Sequence, residues 1–101
     1  MIHLSDVFSE TGLLSQRLPG YEYREGQMTM AEAVLNSLTH QKPLAVQAGT
    51  GLGKTFAYLV PALLYAIAQD KRIVVSTATL QLQNQLIRKD LPAMEEIFRD
   101  K

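Results

Sequence analysis

Hydrophobic residues dominate two long stretches of the chain. In the first, Ala31, Val34, Leu35 and Leu38 recur at helical spacing, and in the second a continuous apolar run occupies residues 56–68. This pattern predicts one helix over about residues 26–39 and a second over about residues 53–69. The second helix contains Pro61, which removes one helical hydrogen bond.

Two short apolar segments, residues 44–47 and 72–77, are candidates for buried strands. Each is followed by polar or small residues, which is typical of a strand that ends in a loop. One strand lies directly before the long apolar helix and the other directly after it. A strand, a helix and a second strand predict a right-handed βαβ unit with a parallel sheet, and hence an α/β fold.

The remaining segments predict shorter helices. Residues 5–18 carry leucines, a valine and a phenylalanine at intervals that predict one or two helical turns, with Ser5 or Asp6 capping the first. Leu82 and Leu86 predict a helix to about residue 89 that is stopped by Pro92. A last helix is predicted within residues 93–101.

Composition limits the classes of function that the chain can have. It has 101 residues, equal numbers of acidic and basic side chains, and no cysteine. A neutral chain has no overall basic field, so any contact with nucleic acid must be local. The absence of cysteine excludes disulfides and cysteine-bound metal within this chain, and the longest apolar run is shorter than the roughly 20 residues of a membrane span. We therefore expect a cytoplasmic protein without membrane contact.

A glycine-rich stretch between the first predicted strand and its helix carries the main chemistry. It consists of Ala48, Gly49, Thr50, Gly51, Leu52, Gly53, Lys54 and Thr55. The glycines let backbone N–H groups approach a phosphate, and the following helix presents its positive end. Lys54 and Thr55 are the predicted catalytic residues: Lys54 neutralises the β- and γ-phosphates of ATP, and Thr55 is the predicted Mg²⁺ ligand. The alternative is a structural turn without a ligand.

Upstream, Arg24 and Gln27 form a second candidate group at the start of a predicted helix. A glutamine amide offers one donor and one acceptor side by side, which matches the N6 amine and N7 of adenine. Tyr21 or Tyr23 could stack on the base. The alternative for this group is an ordinary exposed helix start.

Hydroxyl and amide side chains follow the second predicted strand. Ser76, Thr77, Thr79 and Gln81 are the predicted DNA-binding residues. Uncharged polar groups at the ligand-facing edge of an open sheet can hold the phosphates of single-stranded DNA without reading its sequence. The alternative is a helix cap, with Thr79 closing the first turn.

Taken together, these stretches resemble the superfamily 2 DNA helicases of the DinG and YoaA type, which are related to XPD. The resemblance is carried by residues 20–34 with Arg-x-x-Gln, residues 47–59 with the loop, and residues 76–92. Gln47 stands where this family often has glutamate, and the loop begins with Ala48 as in many helicases. The resemblance implies a partial P-loop NTPase (RecA-like) domain with parallel strands and flanking helices, ATP and Mg²⁺ as cofactors, and 5′ to 3′ unwinding of DNA.

The resemblance also predicts what residues 1–101 lack. They would form the incomplete, N-terminal part of the first motor domain, without the family's acidic D-E-x-H motif. An iron–sulfur cluster is expected in the full-length family member but is not bound by this chain, and this chain alone should not hydrolyse ATP. A P-loop enzyme such as a small kinase and a non-helicase nucleotide- or DNA-binding module are the alternatives.

Overall fold

The computed structural model describes residues 2–49 and 53–99. Six α-helices occur in these ranges, with a π-helical turn between the last two: α1 Leu4–Phe8, α2 Leu13–Arg17, α3 Glu25–His40, α4 Lys54–Gln69, α5 Leu80–Gln85, the π turn Leu86–Asp90 and α6 Leu91–Ile97. The two long predicted helices are confirmed to within one residue at each end. No helix in the described ranges is long and apolar enough to cross a membrane.

The two short N-terminal helices meet at a close backbone contact. A Cβ atom added to Gly12, the N-cap of α2, would lie 2.6 Å from the carbonyl oxygen of Val7 in α1. Glycine is therefore the residue that lets α1 and α2 turn tightly on each other. The predicted cap at Ser5 or Asp6 is shifted, because His3 is the N-cap of α1 and its backbone N–H donates to the Asp6 carboxylate at 2.8 Å.

Helices α3 and α4 end in the same way. Gln41 and Asp70 both adopt left-handed backbone conformations, with φ of 54° and 53°. The N–H of the following residue then returns to a carbonyl five positions earlier, from Lys42 to Ser37 and from Lys71 to Ala66. These returning bonds satisfy carbonyl groups that the end of a helix otherwise leaves open.

One hydrophobic core joins the two ends of the described chain. Its buried members come from α1, α2, α3, α4, the π turn and α6: Leu4, Val7, Phe8, Leu13, Leu14, Ala31, Leu59, Val60, Leu86, Met94 and Ile97. The guanidinium of Arg17 adds a polar tie, donating to the carbonyl oxygens of Ile97 at 3.0 Å and Arg99 at 2.8 Å. Since those carbonyls lie at the end of α6, Arg17 caps that helix from α2.

Pro92 does not separate two helices as the sequence predicts. Pro92 lies in the first turn of α6, and the π turn directly precedes that helix. The Leu91 N–H donates to the Leu86 carbonyl, which closes the π turn. A proline has no N–H to give and crowds the preceding turn of a regular α-helix. The wider π turn lets the chain remain helical through this position.

The predicted α/β fold is wrong for the residues that the structure describes. Residues 44–47 and 72–77 contain no strand, and neither a parallel sheet nor the RecA-like arrangement of strands and flanking helices is present in residues 2–49 and 53–99. Both segments are irregular and largely exposed. The relative exposure of Leu44 is 46%, and that of Val74 is 91%.

The physical reason is that a strand depends on its neighbours. Parallel strands are stable where both faces of the sheet are covered, and β-propensity mostly measures packing against such neighbours. Here α3 packs against α4, and the apolar side chains of residues 44–47 and 73–75 lack that cover. Apolar composition alone therefore predicted strands that the packing does not form.

Candidate nucleotide-binding site

The predicted phosphate loop joins α4 at Gly53. This residue is the N-cap of α4 and has a left-handed φ of 80°. Such a conformation is accessible to glycine without the steric penalty that a Cβ atom brings. A Cβ atom at Gly53 would also collide with the side-chain nitrogen of Gln27.

Gln27 links helix α3 to the end of the loop. Its Nε2 atom donates to the carbonyl oxygen of Gly53 at 3.0 Å, and its Oε1 atom accepts from the Tyr21 hydroxyl at 2.6 Å. The Gln27 side chain is almost fully buried, with 2% relative exposure. We call these three residues, Tyr21, Gln27 and Gly53, the Gln27 tether.

The Gly53 carbonyl has a second donor. The backbone N–H of Ala57 reaches it at 3.2 Å, which is the first regular hydrogen bond of α4. The Gly53 carbonyl oxygen thus accepts two hydrogen bonds, one from the Ala57 N–H of α4 and one from the Gln27 amide. The tether therefore acts on the residue at which the loop becomes a helix.

The Lys54 side chain contacts Ala48, at the other end of the predicted loop. Its Nζ atom donates to the carbonyl oxygen of Ala48 at 3.2 Å, and the side chain is exposed. Thr55, the predicted Mg²⁺ ligand, is the second residue of α4 and is half-buried. A phosphate in the loop would offer the Lys54 ammonium a charged partner in place of a neutral carbonyl, which gives a stronger hydrogen bond.

Part of the predicted loop, namely Thr50, Gly51 and Leu52, lies outside the described residues. Gly49 is described and is exposed, and a Cβ atom added to it would meet no atom of the described residues within 4 Å. The described part of the loop therefore consists of its two ends, at residues 48–49 and 53–55.

The other upstream residues differ from Gln27. The Arg24 guanidinium is exposed and pairs with Glu22 at 2.9 Å, an arrangement of little energetic weight in water. Tyr23 is also exposed, at 42%. Burial, and next the neighbouring Tyr23, raises the pKa of Tyr21 above its ordinary value. Tyr21 therefore keeps its proton at neutral pH and is a hydrogen-bond donor.

The predicted DNA-binding residues occupy an exposed segment before and within α5. The Thr79 side chain accepts from the Leu82 N–H at 3.1 Å and caps α5, as the capping alternative expects, which leaves a DNA contact of this side chain untested. The Thr77 hydroxyl donates to the Thr79 carbonyl at 3.1 Å. Ser76 and Gln81 are exposed. All four side chains remain predictions as DNA contacts.

Sequence reasoning missed the tether itself. It assigned Gln27 to adenine and Tyr21 or Tyr23 to stacking, and it did not predict that Tyr21 and Gln27 form hydrogen bonds within the protein. Gln27 and Gly53 are 26 positions apart, so no local pattern indicates their contact. The one available signal was an aromatic hydroxyl six positions before a glutamine that opens a helix.

Comparison with known proteins identifies the family. Residues 25–97 match the DEAD/DEAH box helicase family, and the chain belongs to that family. It is 42% identical over 93 residues to the ATP-dependent DNA helicase YoaA of Haemophilus influenzae, covering 92% of this chain. It is 52% identical over 71 residues, 70% of this chain, to the ATP-dependent helicase DinG of Mycobacterium tuberculosis. It is also 40% identical over 85 residues, 84% of this chain, to the 3′-5′ exonuclease DinG of Bacillus subtilis.

The match covers a small part of each relative. The aligned region is 14% of the Haemophilus protein, 11% of the Mycobacterium protein and 9% of the Bacillus protein. Relatives with two different printed activities therefore share the same short region. The shared region therefore shows which family these proteins belong to, and it does not show one common activity. The resemblance to DinG- and YoaA-type helicases that the sequence predicts is confirmed.

Proposed function

We propose that residues 1–101 form part of the first, ATP-binding motor domain of a DNA helicase. The observation that carries the proposal is the tether, because it joins the upstream glutamine to the end of the glycine-rich loop. Two separate sequence motifs that we assign to ATP are thereby in direct contact.

The phosphates of ATP would bind at the start of α4. This helix has 16 residues, and its first backbone N–H groups have no partner within the helix. Those N–H groups and the helix dipole attract an anion to the loop end. Lys54 and Thr55 are adjacent at this point, so Lys54 would bind the β- and γ-phosphates and stabilise charge during transfer.

The residues present fit Mg²⁺ only in part. Thr55 offers one hydroxyl oxygen, and no group of three or more His, Cys, Asp or Glu side chains in the described ranges could hold a metal. Mg²⁺ normally keeps several waters and binds substrate phosphates as well as protein oxygens, so Thr55 would supply one ligand among several. When bound, the ion would neutralise phosphate charge, while Thr55 would orient it. An iron–sulfur cluster has no cysteine ligand in this chain.

Gln27 remains the proposed reader of adenine, with a restriction that the tether imposes. A glutamine amide has two N–H donors and two acceptor sites on its oxygen. Tyr21 and Gly53 engage one of each, so the base would use the others or would replace Gly53 as partner. Either mode makes adenine recognition sensitive to the position of the loop. Arg24, which is exposed, would contact the bound nucleotide from the solvent side.

Single-stranded DNA is the proposed second ligand, bound by Ser76, Thr77, Thr79 and Gln81. These side chains lie in one short exposed segment and are uncharged, which suits contact with a phosphate backbone regardless of sequence. ATP hydrolysis in the longer protein would then drive translocation and duplex unwinding in DNA repair or replication. The longer protein is called the parent helicase below.

The test is Lys54→Ala in the parent helicase. Removal of the ammonium should lower ATP turnover by about 10²-fold or more, because an electrostatic partner of the transferred phosphate is lost. Lys71→Ala, at the exposed opposite end of α4, is the matched control and should keep full turnover. Wild-type turnover by Lys54→Ala would refute the site. Turnover that DNA never stimulates would favour a non-helicase nucleotide-binding module.

A further inference from the structure

The Gly53 carbonyl determines which way the Gln27 amide faces, and the Tyr21 hydroxyl holds the other end of that amide. The Gly53 carbonyl can only accept a hydrogen bond, so the amide must turn its nitrogen toward Gly53. The amide oxygen then faces Tyr21, which must be the donor. The two bonds are mutually consistent, whereas a flipped amide would bring two oxygens together at Gly53.

Burial makes this orientation strongly preferred. Gln27 has 2% relative exposure, so water cannot readily replace a partner that is lost. Its side-chain nitrogen also fills the space beside Gly53 that a Cβ atom would otherwise occupy. The amide is thus held by a hydrogen bond on each side and by packing against a glycine with a left-handed φ of 80°.

We propose that Tyr21 is a positioning residue for the phosphate loop, acting through Gln27 on the carbonyl of Gly53. The inference rests on the proposed function, in that it requires the loop to bind the triphosphate. It differs from a role in reading the base, because Gly53 borders the phosphates and its position matters whatever base is attached. Tyr21 therefore contributes to phosphate affinity without touching the nucleotide.

The first test compares three ligands in the parent helicase with Mg²⁺: ATP, GTP and inorganic tripolyphosphate, which has no base. Tyr21→Phe removes only the hydroxyl, and one part-buried hydrogen bond of about 0.5–1.5 kcal/mol corresponds to a roughly 2- to 10-fold loss of affinity. We expect a loss of this size for all three ligands alike. Tyr65→Phe, at a tyrosine of α4 that is not part of the tether or of the candidate site, is the control and should bind all three normally.

Two outcomes of that test would overturn the inference. A loss confined to ATP would make Tyr21 part of base recognition. Unchanged affinity for all three ligands would make its hydroxyl irrelevant to the loop. A wild-type parent helicase that binds none of the three would instead refute the proposed function. The second test examines the link from Tyr21 through Gln27 to Gly53 independently of any ligand.

The second test needs no nucleotide. It measures hydrogen exchange at the Ala57 amide, whose bond to the Gly53 carbonyl reports the position of that residue. Tyr21→Phe and Gln27→Glu, whose carboxylate cannot donate to Gly53, should both speed this exchange several-fold, while Tyr65→Phe should not. The thermal midpoint of Tyr21→Phe, followed in parallel, should fall by only the few degrees that the loss of one hydrogen bond implies, so that faster Ala57 exchange is not due to global unfolding. Equal Ala57 exchange in Tyr21→Phe and the wild type would overturn the inference.

Discussion

The two candidate ligand regions of this chain are held in different ways. At the start of α4, the Gln27 tether joins residues that are far apart in sequence, and its central side chain is buried. In the segment from Ser76 to Gln85, the described side-chain hydrogen bonds connect residues two or three positions apart, and most side chains are exposed. The first region takes its shape from the fold and the second from local capping.

This difference has a consequence for substitutions. Where geometry depends on long-range buried contacts, removal of one group should alter ligand binding and fold stability together. Where geometry depends on a local cap in water, ligand contacts and stability should be separable, because few other groups depend on them. Paired measurements of binding and thermal unfolding can therefore test the contrast directly.

The largest effect is expected for Gly53→Ala. A left-handed φ costs an L-residue about 1–2 kcal/mol, and displacement of the Gln27 amide should add about 1 kcal/mol. We expect a loss of about 2–3 kcal/mol in the free energy of unfolding, together with weaker ATP binding. Thermal unfolding and nucleotide titration measure the two effects.

Gly20→Ala is the matched control for that prediction. Gly20 has a similar φ of 77°, but an added Cβ atom would meet nothing within 4 Å. It should therefore show the cost of the backbone conformation without the collision, and it should bind ATP normally. Equal destabilisation by the two alanines would mean that the contact between Gly53 and Gln27 contributes nothing.

The next effect is expected for Gln27→Ala. If the amide reads adenine, the affinity for ATP should fall about tenfold or more relative to the affinity for GTP, because base edges are left unpaired only for the matched base. Since the same amide supports Gly53, binding of both nucleotides should also weaken somewhat. Competition titrations with ATP and GTP separate the two contributions. A purely common loss would show that Gln27 supports the loop and does not read the base.

The helices show where sequence reasoning succeeds, and the predicted strands show where it fails. The bounds of α3 and α4 were predictable because periodicity over 16 residues and local stops such as Gln41 and Asp70 act within the segment itself. The strands at residues 44–47 and 72–77 were wrong because a strand requires partners that the local pattern does not contain.

In the candidate site too, features set by neighbouring residues were predictable and features set by the fold were not. Thr79 was predictable as a possible cap, since a threonine before a helix bonds to its own first turn. The engagement of Gln27 by Tyr21 and Gly53 was not, because the fold alone brings these residues together. The roles of Lys54 and Thr55 remain predictions from motif chemistry, with Thr50, Gly51 and Leu52 outside the described residues.

The smallest effects are expected in the polar segment, for Thr77→Ala and Thr79→Ala in the parent helicase. Thr77 makes a single local hydrogen bond, so its loss should leave the thermal midpoint unchanged. Thr79 caps α5, and the loss of an N-cap typically lowers the free energy of unfolding by about 1 kcal/mol. If both side chains hold DNA phosphates, each variant should bind single-stranded DNA a few-fold more weakly in every sequence tested, and DNA-stimulated ATPase should fall with basal activity kept.

Thr79→Ser is the matched control, because serine retains the hydroxyl that caps α5 and should restore both stability and DNA affinity. Filter binding with two unrelated single strands, alongside thermal unfolding, would distinguish the roles. Normal DNA affinity in both alanine variants, with only Thr79→Ala destabilised, would show that this segment caps α5 and does not bind DNA. A loss of DNA binding in Thr77→Ala without any loss of stability would instead establish the separation of ligand contact from fold that distinguishes this region from the tethered start of α4.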